Sequence, residues 1–212
     1  MVRVDIAKLK AEQISLAKKV VCRDEFDKVK LVGGVDQAFV NDEVISAIVI
    51  CDYKTLEPIE EKYAVVKAAI PYIPGYLSYR EAPAIVEAYG KLEHKPDVLI
   101  VDGNGILHPR RIGMASHVGI LLDIPTIGIA KNLLLGRAID REVMVENEVR
   151  AFELTTKEHA RPIYVSIGHK ITLGSSVRIV KECLVHPHKL PEPLHLAHRK
   201  ANEVKEQLDR GM

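Results

Sequence analysis

A chain of 212 residues, 47% hydrophobic and 28% charged with a net charge of +1, has the composition of a soluble globular protein with ample material for a core, and its bulk charge announces no nucleic-acid partner. No apolar run approaches the ~20 residues of a membrane span, and charges at Arg3, Asp5, Lys8 and Lys10 leave no signal-peptide pattern, so no membrane partner is expected. Cys22, Cys51 and Cys183 lie far apart without metal-type spacing, which reads as reduced, buried thiols in a cytoplasmic protein.

Asp5 is placed to cap a helix with Ile6, Leu9, Leu16 and Val20 on one side, reaching about Val21; it reads as a packing helix without chemistry. Three strand-like runs follow, Lys30 to Phe39, Glu43 to Cys51 and about Ile59 to Lys67. The short links at Asn41-Asp42 and from Asp52 to Pro58 imply an antiparallel meander. Ala69 to Ser78 contains Pro71-Tyr72-Ile73-Pro74-Gly75-Tyr76-Leu77, which rules out a helix and argues against a central strand; it is a stiff loop holding aromatic and apolar side chains. Glu81, two residues before Pro83, fits the first turn of a helix that buries Ile85, Val86, Tyr89 and Leu92 and ends at Lys95-Pro96.

Val98 to Val101 is a continuous apolar run, suited to a strand buried on both faces. It stops at Asp102, followed by Gly103-Asn104-Gly105, whose backbone can turn sharply and pass close to a ligand. A helix from about Pro109 to Leu122 is expected to bury Met114, His117, Val118 and Leu121, and a short strand from Thr126 to Ala130 ends at Lys131-Asn132. Arg137 to Thr156 is assigned to strands, Ile163 to Ile167 to a strand and Gly174 to Leu184 to a helix. His186 to Pro193, with three prolines, is a loop before a last helix, Leu194 to Leu208, whose Leu194, Ala197, Ala201, Val204 and Leu208 share one face. From Arg161 to Lys200 seven Lys/Arg and five His stand against two acids, so a basic surface within a neutral protein is compatible with the sequence.

A meander followed by βαβ crossovers gives an α/β fold: a mixed sheet, three antiparallel strands plus parallel ones, flanked by helices. The ribonuclease H-like architecture has this order, and other mixed α/β folds begin in the same way. No internal repeat or domain boundary interrupts it, so a single domain over 1–212 is expected.

Asp36 lies in an apolar strand, where an ionised carboxylate must be paired, hydrogen-bonded or metal-bound; the alternative is an exposed strand end. Gly33-Gly34 just before it leave room for a close neighbour or a ligand. If the first and fourth strands are neighbours, Asp36 and Asp102 converge at the carboxyl ends where such sheets bind ligands. Two carboxylates that close stay ionised only with a cation between them, and hard oxygen ligands on a partly open site favour Mg²⁺ or Mn²⁺. Glu81 at a helix start, His198 at the edge of the apolar face of the last helix and Lys131 at a strand end are further candidates. Their plain alternatives are a helix-start acid, a core histidine and an exposed lysine. No dinucleotide fingerprint, phosphate-binding loop or Gly-x-Ser-x-Gly elbow is present.

Taken together, Gly33-Gly34-Val35-Asp36, Pro71-Tyr72-Ile73-Pro74-Gly75, Leu77-Ser78-Tyr79-Arg80-Glu81, Val101-Asp102-Gly103-Asn104-Gly105, His108-Pro109-Arg110, Gly128-Ile129-Ala130-Lys131 and Leu194-His195-Leu196-Ala197-His198-Arg199 resemble endonuclease V, a family of repair nucleases acting at inosine. The resemblance implies a ribonuclease H-like fold and Mg²⁺-dependent hydrolysis, with Mn²⁺ as a substitute, of the second phosphodiester bond 3′ to the lesion. It implies Asp36 and Asp102 as metal ligands, Glu81 as the third catalytic carboxylate, Lys131 steadying the phosphate and His198 as a metal or proton ligand. It further implies Pro71, Tyr72, Ile73 and Pro74 as a wedge into the duplex, and Gly75, Leu77, Gly103, Gly105, His108 and Gly128 as the pocket of the displaced base, since inspecting a base requires taking it out of the stack. The partner expected is inosine-containing DNA or RNA, met by a monomer. A different ribonuclease H-like nuclease, such as a junction resolvase or an inosine-specific ribonuclease, and a non-catalytic binder of damaged nucleic acid are the alternatives.

Overall fold

Asp5 caps helix α1 (Ile6–Ala17), its carboxylate accepting a hydrogen bond from the Lys8 amide at 3.0 Å. The expected packing stripe is not what this helix buries. Of that stripe Ile6 is 40% exposed, Leu9 and Leu16 are only half-buried, and the helix stops before Val20; the one side chain it buries fully is Gln13. The computed structural model describes residues 4–210; residues 1–3 and 211–212, the two ends of the expected 1–212 domain, lie outside it.

Strands β1 (Leu31–Val40), β2 (Glu43–Asp52) and β3 (Pro58–Lys67) form the meander, each within a residue of its expected ends. The chain then makes α2 (Leu77–Gly90), β4 (Val98–Asp102), α3 (Met114–Leu122) and β5 (Thr126–Ala130). The hairpin strands β6 (Arg137–Ile139), β7 (Glu142–Val145) and β8 (Glu148–Leu154) follow, then β9 (Ile163–His169), α4 (Leu173–Glu182) and α5 (Glu192–Arg210). The nine strands of the described residues share one sheet, ordered β3-β2-β1-β4-β5-β9-β8-β7-β6, in which β1, β4 and β5 run parallel and the rest pair antiparallel.

Period-two alternation divides the core between the sheet faces. Val32, Val98, Ile100, Ile127 and Ile129 pack against Ile179 and Val180 of α4 and Leu194 and Ala197 of α5. Val35, Leu99 and Val101 pack against Ala82 and Ile85 of α2 and Ala115 and Val118 of α3.

Two helix starts differ from expectation. α2 begins at Leu77, so Pro83 lies inside it and Glu81 falls in the second turn rather than at the dipole end. The Tyr79 amide already turns back to the Tyr76 carbonyl, and Pro83, exposed on the outer side of the helix, has no N–H to donate to the Tyr79 carbonyl. Val86 is exposed for the same reason of phase. α3 begins at Met114 rather than near Pro109, because the intervening chain folds back on the glycine loop: Gly113 N–H donates to the Gly105 carbonyl at 2.9 Å and Ala115 N–H to that of Asn104 at 3.0 Å. Leu121 faces solvent, and Cys22, unlike buried Cys51 and Cys183, is exposed. Among the described residues no helix is long and apolar enough to cross a membrane.

Candidate active site

The register of β1 on β4 is constant, from Val32 beside Val98 to Val35 beside Val101. One residue further along, Asp36 comes beside Asp102, on the same face and about 5 Å away across the strand spacing. β4 stops at Asp102 while β1 continues to Val40, so Asp36 is mid-strand and still stands at the edge where the parallel strands end. Lys131 is the residue after β5, and its Nζ lies 2.6 Å from Asp102 Oδ2.

His198 reaches the same place from α5, and Gly34 is what lets it. A Cβ at Gly34 would stand 2.1 Å from the Pro193 carbonyl carbon and 2.4 Å from the Leu194 nitrogen, so the close neighbour expected there is the backbone at the start of α5. One turn on, His198 Nδ1 is 2.6 Å from Asp36 Oδ2. Asn202 Nδ2, a donor only, lies 3.2 Å from His198 Nε2, which makes Nε2 the acceptor and leaves the proton on Nδ1, pointed at Asp36. Asp36 Oδ1 accepts from the Gln37 amide at 2.7 Å.

The carboxylates repel one another in a dry setting. Asp36, 4% exposed, is pushed up to about 6 by burial and by the charge of Asp102, against the pull of Lys131 and the His198 hydrogen bond. Glu81, 6% exposed, is pushed up to about 7, chiefly by burial; Arg80 opposes, and Asp102 and Asp36 add to the rise. Burial pulls Lys131 down, but the charge and hydrogen bond of Asp102 together with the charge of Asp36 leave the ammonium raised. Among the described residues no group of three or more His, Cys, Asp or Glu side chains has metal-holding spacing. The donor set nonetheless suits a hard divalent cation at the Asp36–Asp102 pair: two carboxylates side by side, with Asp36 raised in part by the charge of Asp102 and so open to relief by a cation.

A cleft of about 540 Å³ adjoins these groups, within the range of small-molecule sites. Glu81 and Asp102 form one side; Tyr72, Pro74, Gly75, Leu77, Gly103 and His108 contribute to the rest. Tyr72 is 66% exposed at its mouth, while Pro71 and Ile73 do not line it. Gly105 and Gly128 lie behind the wall: the Gly105 amide donates to Ser166 Oγ at 2.9 Å, and a Cβ on Gly128 would stand 2.4 Å from the Gly105 nitrogen. They are the close packing of loop on sheet, not lining. Burial and Arg110 hold His108 down at about 4, a neutral imidazole.

Several groups at this site lie outside the set the sequence predicts. Asn202 carries a signal, lying one turn beyond His198 on one helix. Ser78, whose Oγ is 2.8 Å from His117 Nδ1, Asn104 and Arg110 stand inside the motifs quoted above without being singled out as site residues, and Met114, expected only to be buried, also lines the cleft.

A mixed α/β sheet of this order, with helices on both faces and Asp36 and Asp102 near the ends of its parallel strands, has the ribonuclease H-like architecture, a fold that includes nucleases. The model of one nuclease family, endonuclease V, matches residues 14–199. The chain belongs to the endonuclease V family. It is 41% identical over 194 residues to endonuclease V of Dictyoglomus thermophilum, covering 88% of this chain and 85% of that protein. It is 40% identical over 203 residues to endonuclease V of Rippkaea orientalis, covering 91% and 88%. Among solved structures, endonuclease V of Bacillus subtilis superposes with a TM-score of 0.93 at 29% identity, covering 100% of this chain and 96% of that one. Endonuclease V of Ciona intestinalis, in complex with DNA containing an inosine followed by a ribo-adenosine, superposes with a TM-score of 0.85 at 29% identity, covering 96% and 98%.

Proposed function

We propose that this chain is a DNA repair endonuclease that recognises deoxyinosine and hydrolyses the second phosphodiester bond 3′ to it, with Mg²⁺, or Mn²⁺ in its place, held by Asp36 and Asp102. The observation that carries this reading is the meeting of the Asp36–Asp102–Lys131 group with a base-sized cleft that shares Glu81 and Asp102. The family is one of metal-dependent nucleases, and the Ciona complex with inosine-containing DNA supports a nucleic-acid substrate and this lesion. Three unpaired thiols support a reducing, cytoplasmic setting.

When bound, a divalent cation supplies charge neutralisation at the phosphate and a more acidic water. The chain's own groups do the rest. Lys131, beside Asp102, aims an ammonium at the edge where a phosphate oxygen would lie. His198, fixed by Asn202, holds Asp36 in one orientation through its Nδ1 proton. Glu81, with its proton affinity raised to about 7, is suited to hold or release a proton near neutral pH. Tyr72 at the mouth of the cleft takes the space of the displaced base, and Gly75, Leu77, Gly103 and His108 face the base in the cleft.

The test is nicking of an inosine duplex in Mg²⁺ or Mn²⁺, run beside inosine in RNA and a four-way junction. Asp102→Ala should lower nicking by about 10³-fold or more while binding in Ca²⁺ stays largely intact. A wild-type protein that leaves inosine substrates whole, or cuts junctions alone, would overturn the reading.

A further inference from the structure

Helix α1 leaves Leu9 and Leu16 only half-buried and buries a polar side chain more deeply than any apolar one. Its isoleucines Ile6 and Ile14 face solvent, and the one side chain it buries, at 1% exposure, is Gln13. A buried amide is destabilising unless its donor and acceptor are both matched. Gln13 is matched on both sides: Nε2 donates to the Gly75 carbonyl at 3.0 Å, and Oε1 accepts from Arg110 Nε. Arg110 closes the triangle, its Nη2 donating to the same Gly75 carbonyl at 2.7 Å while the guanidinium lies 4.6 Å from the centre of the Tyr76 ring. The Gly75 oxygen thus accepts from both Gln13 and Arg110.

Gly75 closes the loop that carries Tyr72, in a left-handed turn with φ +80°. Pro71 and Pro74 restrict the loop from within. Its other end is held as well, since Arg80 Nη1 donates to the Ile70 carbonyl at 2.9 Å. α1 is tied a second time through the Tyr79 hydroxyl, which donates to the Leu9 carbonyl at 3.3 Å. Between these anchors Tyr72 stands out into solvent on a loop fixed at both ends.

We propose that α1 is part of the lesion-recognition apparatus and that Gln13 is a positioning residue: with Arg110 it locks the Gly75 carbonyl and so sets how Tyr72 stands over the cleft. This rests on the reading of Tyr72 as the wedge. A wedge that displaces a stacked base must already be stiff, because ordering a loose loop on binding subtracts from affinity. A helix that contributes little apolar packing has a reason to exist if it delivers one amide to that loop.

Gln13→Met keeps the length and removes both polar groups; Gln13→Glu keeps the acceptor for Arg110 and loses the donor to Gly75. Thermal melts establish that both fold. Amide exchange at Tyr76 and Tyr79 of the free protein, whose N–H groups donate to the Ile73 and Tyr76 carbonyls at 3.0 and 3.1 Å, should accelerate about tenfold in Gln13→Met and less in Gln13→Glu. Binding of an inosine duplex in Ca²⁺ should weaken about tenfold in Gln13→Met, and by less than about twofold further when the same change is added to Tyr72→Ala. Unchanged exchange at these amides overturns the lock. Accelerated exchange with fully additive losses in the double variant overturns the link to Tyr72. A wild type that binds inosine and plain duplexes alike fails the reading of function, while the exchange data still judge the lock.

Discussion

The two sides of the site are built in opposite ways. Asp36, Asp102 and Lys131 are set by strand register, and the carboxylates nearest the core, Asp36 and Glu81, are dry, close to other acids and raised in proton affinity. The proposed recognition side is an exposed tyrosine on a loop tied down by side chains from α1, α2 and the segment before α3. Proton handling and charge placement call for a desolvated, rigid frame, and a wedge calls for surface presented to solvent. Folding free energy should therefore be spent at the carboxylates and left almost untouched at the wedge.

The largest test of that contrast is the pH dependence of stability without metal. Glu81 is raised from 4.5 to about 7 in the folded chain. Between those values the folded state keeps a proton that the unfolded state has lost, so stability falls as pH rises through the window and the penalty is complete above about 7. The penalty amounts to about 3 kcal/mol at most. Asp36, raised from 3.8 to about 6, adds a decline of the same sign at lower pH. Glu81→Gln should therefore remove the part that runs up to about pH 7 and leave the chelated protein more stable than wild type at pH 8, read by denaturant titration at several pH values. Divalent cation should stabilise the wild type at that pH. Equal slopes in the two proteins would mean that Glu81 is not strained in the fold.

Next in size is the seat of α5 on β1. Gly34→Ala puts a methyl 2.1 to 2.4 Å from the backbone of Pro193 and Leu194, which cannot yield as a flexible side chain would. The start of α5 must move, at a cost of about 1–3 kcal/mol, and His198 moves away from Asp36 with it, so nicking falls too. Gly90, at the end of α2, has nothing within 4 Å of a would-be Cβ. Gly90→Ala should be neutral or stabilise by up to about 1 kcal/mol. Equal denaturation midpoints for the two variants would refute the seating.

The same contrast governs which parts of the molecule are legible in its amino-acid sequence. Asp102 and Lys131 are legible because an apolar strand ending in a charge has one geometry, and the parallel pairing of β1 with β4 brings mid-strand Asp36 to the same edge. The glycines near Asp36 point to a close neighbour, and that neighbour is a helix backbone. The start of α2 is harder to place, because Pro83 has the look of a first-turn proline although Tyr79 already bonds back to Tyr76. The role of Gln13 is illegible for a different reason. Its partners are Gly75 and Arg110, 62 and 97 residues away, and no local period encodes such a tie. A stripe of isoleucines and leucines suggests packing, while the tertiary fold turns the polar residue inward.

The smallest expected effect on stability is also the sharpest on selectivity. Tyr72 is 66% exposed, so Tyr72→Ala removes little buried surface and should leave the denaturation midpoint within about 0.5 kcal/mol of wild type. Stacking of an aromatic ring on bases contributes about 1–3 kcal/mol, so binding of an inosine duplex in Ca²⁺ should weaken about tenfold, with binding of an undamaged duplex changed far less. Tyr72→Phe, which keeps the ring, should retain most of that binding. The decisive quantity is the ratio of the two affinities. A general contact to the backbone would lower both affinities together and leave their ratio fixed, whereas a group that fills the gap left by a displaced base acts only where the base has left the stack.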